Sequence, residues 1–277
     1  MTNEEIKAVI FDIGGVVTRS PLIAIAEYEH EHGIPHNYIN NAIVRRGNRG
    51  AWQKFERGEL PLLAFYDAFS RELSDVAKNN AWYAEYCRKH GTACPRLPAS
   101  LAINGRDLFG RMMNKSASYD NLVISAIRKL RAAGRWRVIA LTNNYSKIGK
   151  ALDDFNSPLA AKYPGLNFQS EMMFLGWDKG AVPSSLRTLF DDFLDSSEVG
   201  MRKPEPEFYL LACKRNNIHP CEAVFLDDLG LNCKAASLLG MHAIRVPIGK
   251  SQGALKKLEN LLGFNLLGDQ QPEAPKL

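Results

Sequence analysis

The sequence lacks any run of the roughly 18 consecutive apolar residues that a membrane-spanning helix requires. It also lacks a secretory leader pattern: the apolar stretch Ala8 to Val17 is interrupted by Asp12 and ends in Thr18-Arg19, without a small-residue cleavage site. Cysteine is scarce. Cys87, Cys94, Cys213, Cys221 and Cys233 are odd in number and contain no Cys-x-x-Cys, which argues against a disulfide framework and for a reducing, cytoplasmic compartment. Internal repeats and low-complexity runs are missing too. Charge of one sign is also in short supply: 35 Lys and Arg against 30 Asp and Glu leave only +5. The basic residues of Arg45-Arg46, Arg128-Lys129-Arg131 and Arg135 to Arg137 sit among acidic neighbours, so neither a nucleic-acid stripe nor a membrane-binding surface is expected. What is present is core material. At 45% hydrophobic residues over 277 positions, the chain can fold as one large domain or two modest ones.

Four short apolar runs end in polar or turn residues: Val9 to Phe11 before Asp12, Val138 to Leu141 before Thr142, Val224 to Leu226 before Asp227-Asp228, and Ala243 to Val246 before Pro247. Without polar alternation, such runs suit strands buried on both faces of a parallel sheet. Helical patterns separate them. Leu122 to Ala133 stops at Gly134, and Glu205 to Arg215 starts between Pro204 and Pro206. The alternation predicts an α/β fold, a doubly wound parallel sheet of Rossmann-like type, whose ligands bind at the carboxyl ends of the strands. Residues 21–118 differ. Ile25 to His32, Ile39 to Arg46, Leu60 to Leu73 and Asp75 to His90 read as helices, so an inserted helical cap is expected between core segments 1–20 and 119–264. Met172 to Pro183 reads as a long loop or short hairpin, and residues 265–277 as a flexible tail.

The chemistry-bearing residues fall at those strand ends. Asp12 precedes Gly14-Gly15, so a carboxylate faces a loop whose amides can approach an anion. Thr142 and Asn143 offer neutral hydrogen-bond donors. Lys203 stands just ahead of a proline-started helix, where a bound anion explains an ammonium better than helix stability does. Asp227 and Asp228 are adjacent carboxylates whose repulsion a divalent cation would relieve, and oxygen ligands favour Mg²⁺. Each motif alone is also compatible with a plain cap, turn or exposed charge.

Taken in order, Asp12, Thr142, Lys203-Pro204 and Asp227-Asp228 resemble the haloacid dehalogenase-like hydrolases over nearly the whole chain. Gly47 to Trp52, Phe55 to Leu60, Val199 to Pro206 and Val224 to Gly240 are similar to the N-terminal phosphatase domain of soluble epoxide hydrolases. The epoxide-opening domain of those proteins would have to follow residue 264, so epoxide hydrolysis is not expected. The resemblance implies that Asp12 attacks phosphorus and forms an aspartyl-phosphate. It implies Mg²⁺ on Asp12, the Gly14 carbonyl and Asp228, with Asp227 holding a metal-bound water. It gives phosphate binding to Thr142, Asn143 and Lys203, and a small phosphorylated metabolite as substrate. One position departs: the family usually has an acidic residue where this chain has Gly14. That loss favours good leaving groups such as acyl phosphates or sugar 1-phosphates, or an acid borrowed from His36, Glu56 or Glu59. Two alternatives stay open, a metal-independent 2-haloacid dehalogenase and a pseudo-phosphatase with a binding or regulatory role. Cys87-x-x-His90-x-x-x-Cys94 supplies three zinc-type ligands without an evident fourth. The aromatics Trp52, Phe55, Phe65, Tyr66 and Phe69 read as cap core, with a lipid tunnel as the competing reading.

Overall fold

The computed structural model describes residues 5–145 and 155–268. Five parallel strands form one sheet: β1 Ala8–Phe11, β2 Arg137–Thr142, β3 Asp192–Asp195, β4 Ala223–Asp227 and β5 His242–Arg245, in the order β3-β2-β1-β4-β5. The central β1 is buried throughout, with Val9 beside Val138 on one side and Val224 on the other. Successive strand residues point to opposite faces, and here both faces are covered. Val9, Phe11, Val138, Ala140, Val224 and Leu226 pack beneath helices Asn121–Ala133 and Ser251–Leu262. Ile10, Ile139, Leu141 and Phe225 pack beneath Pro206–Arg215 and Gly230–Leu238. The α/β reading of the apolar runs therefore holds.

β3 has no counterpart among those four runs. Its sequence, Asp192-Phe193-Leu194-Asp195, is half acidic: it lies at the sheet edge, with β2 its strand neighbour among the described residues, and the buried Asp195 caps the short helix Ser196–Val199 by accepting the Ser197 N–H at 2.9 Å. Asp192 is turned outward to the Arg215 guanidinium at 2.6 Å.

Residues 22–115 carry six α-helices, Leu22–Glu31, Tyr38–Arg45, Ala51–Glu56, Leu62–Ser74, Val76–His90 and Gly105–Lys115, around a separate aromatic core. Phe55 stacks on Phe65 with ring centres 4.1 Å apart, and Phe65 on Phe69 at 5.0 Å. The expected loop or hairpin from Met172 instead begins inside a helix, Phe168–Phe174, whose start is set by a reciprocal cap between Asn167 and Ser170. This helix inserts Met172 and Leu175 into the aromatic core. Its buried Glu171 accepts from Tyr66 Oη at 2.7 Å and from Arg106 Nη2 at 2.7 Å.

At the C-terminal end, Glu259 accepts the backbone N–H groups of Leu266 at 2.7 Å and Leu267 at 2.8 Å, and Leu266 is buried. Residues 269–277 of the expected tail lie outside the described residues. The Leu267 N–H, the Lys256 ammonium and the Leu266 N–H hold the Glu259 carboxyl down at about 2. A depressed carboxyl pKa contributes stability above the unfolded value, and the contribution is lost as pH falls through the folded one. Glu259→Gln is expected to cost about 1–2 kcal/mol at pH 7 in urea denaturation, with the difference shrinking as pH falls toward 2. A variant as stable as wild type at pH 7 would show that the negative charge of Glu259 contributes nothing, since the glutamine carbonyl can still accept the two N–H groups.

Candidate active site

Three strand ends and one loop converge on a single cluster. β1 delivers Asp12, whose N–H continues the ladder by donating to Leu226 at 2.9 Å. β4 delivers Asp227 and Asp228, β2 delivers Thr142 and Asn143, and the loop ahead of Pro206–Arg215 delivers Lys203. All of them but Asn143 are buried. Lys203 Nζ lies 2.7 Å from Asp12 Oδ1 and 2.7 Å from Asp227 Oδ2. Oxygens from Asp12, Asp227 and Asp228 fall within 4.8 Å of one another. The sequence-selected residues are thus brought together.

The orientation of each group is fixed by a second set of bonds. Asp227 accepts from the Leu229 N–H at 2.8 Å and from Asn232 Nδ2 at 3.0 Å. Asp228 accepts from Ser20 Oγ at 3.0 Å, and Asp12 from the Ile13 N–H at 2.7 Å. Asn143 clamps the lysine backbone: its Nδ2 donates to the Lys203 carbonyl at 3.0 Å, and its Oδ1 accepts the Lys203 N–H at 2.8 Å. The Asn143 side-chain amide is therefore spent on the lysine. Gly15 adopts φ +86°, and a Cβ there would overlap the Asp228 carboxylate, so glycine permits that close approach. At Gly14 the nearest atom to an added Cβ is Pro21 Cδ, at an ordinary 3.7 Å. Packing does not forbid a side chain at Gly14.

Electrostatically the cluster holds three carboxylates against one ammonium. Burial raises the Asp12 pKa well above the usual range; Lys203 opposes this, while Asp227 and Asp228 add to it. Burial, reinforced by Asp227, pushes Asp228 up to about 7. For Lys203, burial alone would lower the pKa, but Asp12 and Asp227 outweigh it and the ammonium is held charged. Gly14, Thr142 and Asn143 open on a cavity of about 160 Å³, walled further by Met113, Tyr145 and Trp177.

The three acids considered for the cap separate clearly. His36 is exposed and lines a different groove, with Leu22 and His30. Glu59 is half exposed and paired with Arg57, which lowers its pKa. Glu56 is buried, accepting from Arg202 Nε at 2.5 Å and Trp52 Nε1 at 2.9 Å; burial raises its pKa and Arg202 opposes the rise. The Cys87, His90 and Cys94 trio does not gather as a metal site among the described residues. Among the described residues, the carboxylate trio is the group of potential ligands that does gather. Phe55, Phe65, Tyr66 and Phe69 are buried in the helical core as expected, and Tyr145 joins them by stacking on Phe55 at 4.9 Å.

A parallel α/β sheet with acidic side chains at the ends of β1 and β4 defines a hydrolase-type site. Residues 6–240 match the model of the haloacid dehalogenase-like hydrolases, and the chain belongs to that family. It is 30% identical over 261 residues to acyl-CoA dehydrogenase family member 10 of Mus musculus, covering 94% of this chain and 19% of that protein. It is 26% identical to bifunctional epoxide hydrolase 2 of Sus scrofa, covering 98% of this chain and 41% of that protein. The chain thus spans well under half of these relatives. A solved haloacid dehalogenase-family enzyme from Bacteroides thetaiotaomicron, in complex with magnesium and inorganic phosphate, shares the fold. Its TM-score is 0.50 at 19% identity, over 90% of this chain and 98% of that one. No helix among the described residues is long and apolar enough to cross a membrane.

Proposed function

We propose that the protein is a Mg²⁺-dependent cytoplasmic phosphatase of a small phosphorylated metabolite, with Asp12 as nucleophile. The observation that carries this reading is the Lys203 ammonium bridging Asp12 and Asp227 inside a buried carboxylate trio. Hard oxygen donors that outnumber the one buried cation beside them among the described residues fit a divalent ion of the Mg²⁺ type. Asp12, Asp228 and the Gly14 carbonyl would hold it, with Asp227 alongside. When bound, the ion supplies positive charge against the oxygens of the transferring phosphoryl group. The Bacteroides neighbour, which holds magnesium and phosphate together, supports the same pairing here.

The chain's own residues account for the remaining steps. Lys203 aims Asp12 and opposes the rise in its pKa that burial causes, and the free Asp12 oxygen attacks phosphorus as the leaving group departs. Water then cleaves the aspartyl-phosphate, returning Asp12 and releasing phosphate. The Thr142 hydroxyl, the Asn143 backbone N–H and Lys203 donate to the phosphoryl oxygens, stabilising charge that grows in the transition state. The helical block of residues 21–118 covers the site and excludes water from it. With Gly14 contributing no carboxyl, and Glu56 engaged by Arg202 and Trp52, substrates with good leaving groups are favoured: acyl phosphates and sugar 1-phosphates.

The test is phosphate release from a panel of phosphorylated metabolites, by wild type and Asp12→Asn, with Mg²⁺ and with chelator. Release that requires both Asp12 and Mg²⁺ is the expected result. Chelator-insensitive halide release from 2-haloacids would establish a dehalogenase instead, and no turnover of either substrate class would leave a binding protein.

A further inference from the structure

The catalytic lysine is held from the helical block as well as from the sheet. Helix Ala51–Glu56 ends on Glu56, whose two side-chain oxygens accept from Trp52 Nε1 at 2.9 Å and Arg202 Nε at 2.5 Å. Arg202 immediately precedes Lys203. The Glu56 carbonyl accepts from Ser196 Oγ at 2.5 Å, and Ser196 Oγ in turn accepts the Asn144 N–H at 2.9 Å. Asn144 adjoins Asn143, whose side chain grips both backbone groups of Lys203. On the other side of the lysine, Glu205 accepts the Arg202 N–H at 3.1 Å and Arg57 Nη1 at 3.4 Å. Residues Glu56 and Arg57 of the block therefore touch both flanks of the segment Arg202–Glu205. The Glu56 and Arg202 side chains are only 6% and 13% exposed, so the pair is poorly screened and each charge depends on the other.

From this geometry we propose that Glu56, Arg202 and Ser196 form a latch through which seating of the helical block fixes the position of Lys203. Glu56 and Arg202 are positioning residues, acting on the phosphoryl group through the lysine. Both Glu56 oxygens receive N–H groups, an arrangement that suits a carboxylate accepting bonds and not an acid delivering a proton. A lysine displaced by about 1 Å no longer serves both Asp12 and the transferring oxygens, and misplacement of that size costs on the order of 100-fold. The latch gives a role to the charged contacts between the block and the segment Arg202–Glu205.

The kinetic part of the test rests on the phosphatase reading, so it is paired with a measurement that does not. Glu56→Gln, Arg202→Gln, the conservative Arg202→Lys and the double variant are compared with Arg45→Gln, a surface-pair control. In hydrogen exchange, the backbone N–H groups of Arg202 and Lys203 should exchange at least about 10-fold faster in the Glu56 and Arg202 variants and be unchanged in Arg45→Gln. In turnover, kcat should fall about 10–100-fold with KM moved less than about 3-fold, the double variant no worse than the poorer single one, and the shape of the pH profile retained. Arg202→Lys should recover part of kcat, which keeps the comparison decisive if Arg202→Gln folds poorly. Unchanged exchange at Arg202 and Lys203 would overturn the latch. So would loss of the alkaline limb in Glu56→Gln, which would make Glu56 the acid. Failure of the phosphatase reading would appear separately, as phosphate release indifferent to Asp12→Asn.

Discussion

Lys203→Met is expected to lower folding stability by about 3–5 kcal/mol at pH 8, and by less at pH 5, while removing nearly all turnover. The side chain is fully buried and, among the described residues, its ammonium is the one buried cation in contact with the carboxylate trio. Methionine fills a similar volume, so the loss reports charge and not a cavity. Without the ammonium, Asp12 and Asp227 lose their shared partner, and burial, which already raises the Asp12 pKa against the pull of Lys203, drives Asp12 further toward protonation. A carboxyl whose folded pKa rises above its unfolded value loses stability as pH climbs between the two, which sets the sign of the difference between pH 8 and pH 5. Urea denaturation at the two pH values, with Mg²⁺ removed, measures it. A loss below about 1 kcal/mol at both would mean that the trio is not held together by Lys203.

The residues of this cluster were readable in the sequence because most sit where a buried run ends, and Lys203 stands just ahead of a proline-started helix. Asp12, Thr142 and Asp227 interrupt strands whose neighbours are apolar on both faces, and a polar residue there stands out. β3 offered no such contrast. It gives each face of the sheet a single apolar residue, Phe193 to one and Leu194 to the other, and two such residues between aspartates look like any turn. The helix Phe168–Phe174 did carry a signal, the Asn167 and Ser170 cap, but its short length and the glycines after it read as loop. Contacts made across the fold were illegible for a different reason. Ser20 and Asp228 are 208 positions apart, and Glu56 and Arg202 are 146 apart; no local pattern pairs them. Asn232 was within reach, one helical turn beyond Asp228, where a polar side chain can fold back onto Asp227. Gly14 was legible as a missing carboxyl. That nothing but Pro21 approaches an added Cβ could come only from the structure, and it shows that the glycine is not imposed by crowding.

Metal-free protein should become less stable as pH rises from about 4 to about 7, and Mg²⁺ should abolish much of that decline. Asp228 carries the argument. Its pKa is pushed up to about 7 by burial and by Asp227, whereas in the unfolded chain it titrates near the ordinary carboxyl value of about 4. Between those values the unfolded state releases its proton first, so stability is lost as pH rises through the window, by about 4 kcal/mol at most from this one group. Ser20 stabilises the ionised form only in part, with one hydroxyl bond at 3.0 Å. A cation bound by the ionised trio reverses the preference, because it binds the folded state after the proton has left. Apparent Mg²⁺ affinity should therefore rise about 10-fold per pH unit below pH 7 and level off above it. Calorimetric titration of Mg²⁺ at pH 5.5, 6.5 and 7.5 gives the slope, and Asp228→Asn should flatten it. Affinity independent of pH across that range would remove Asp228 from the ion's ligand set and leave Asp12 and Asp227 to account for any binding.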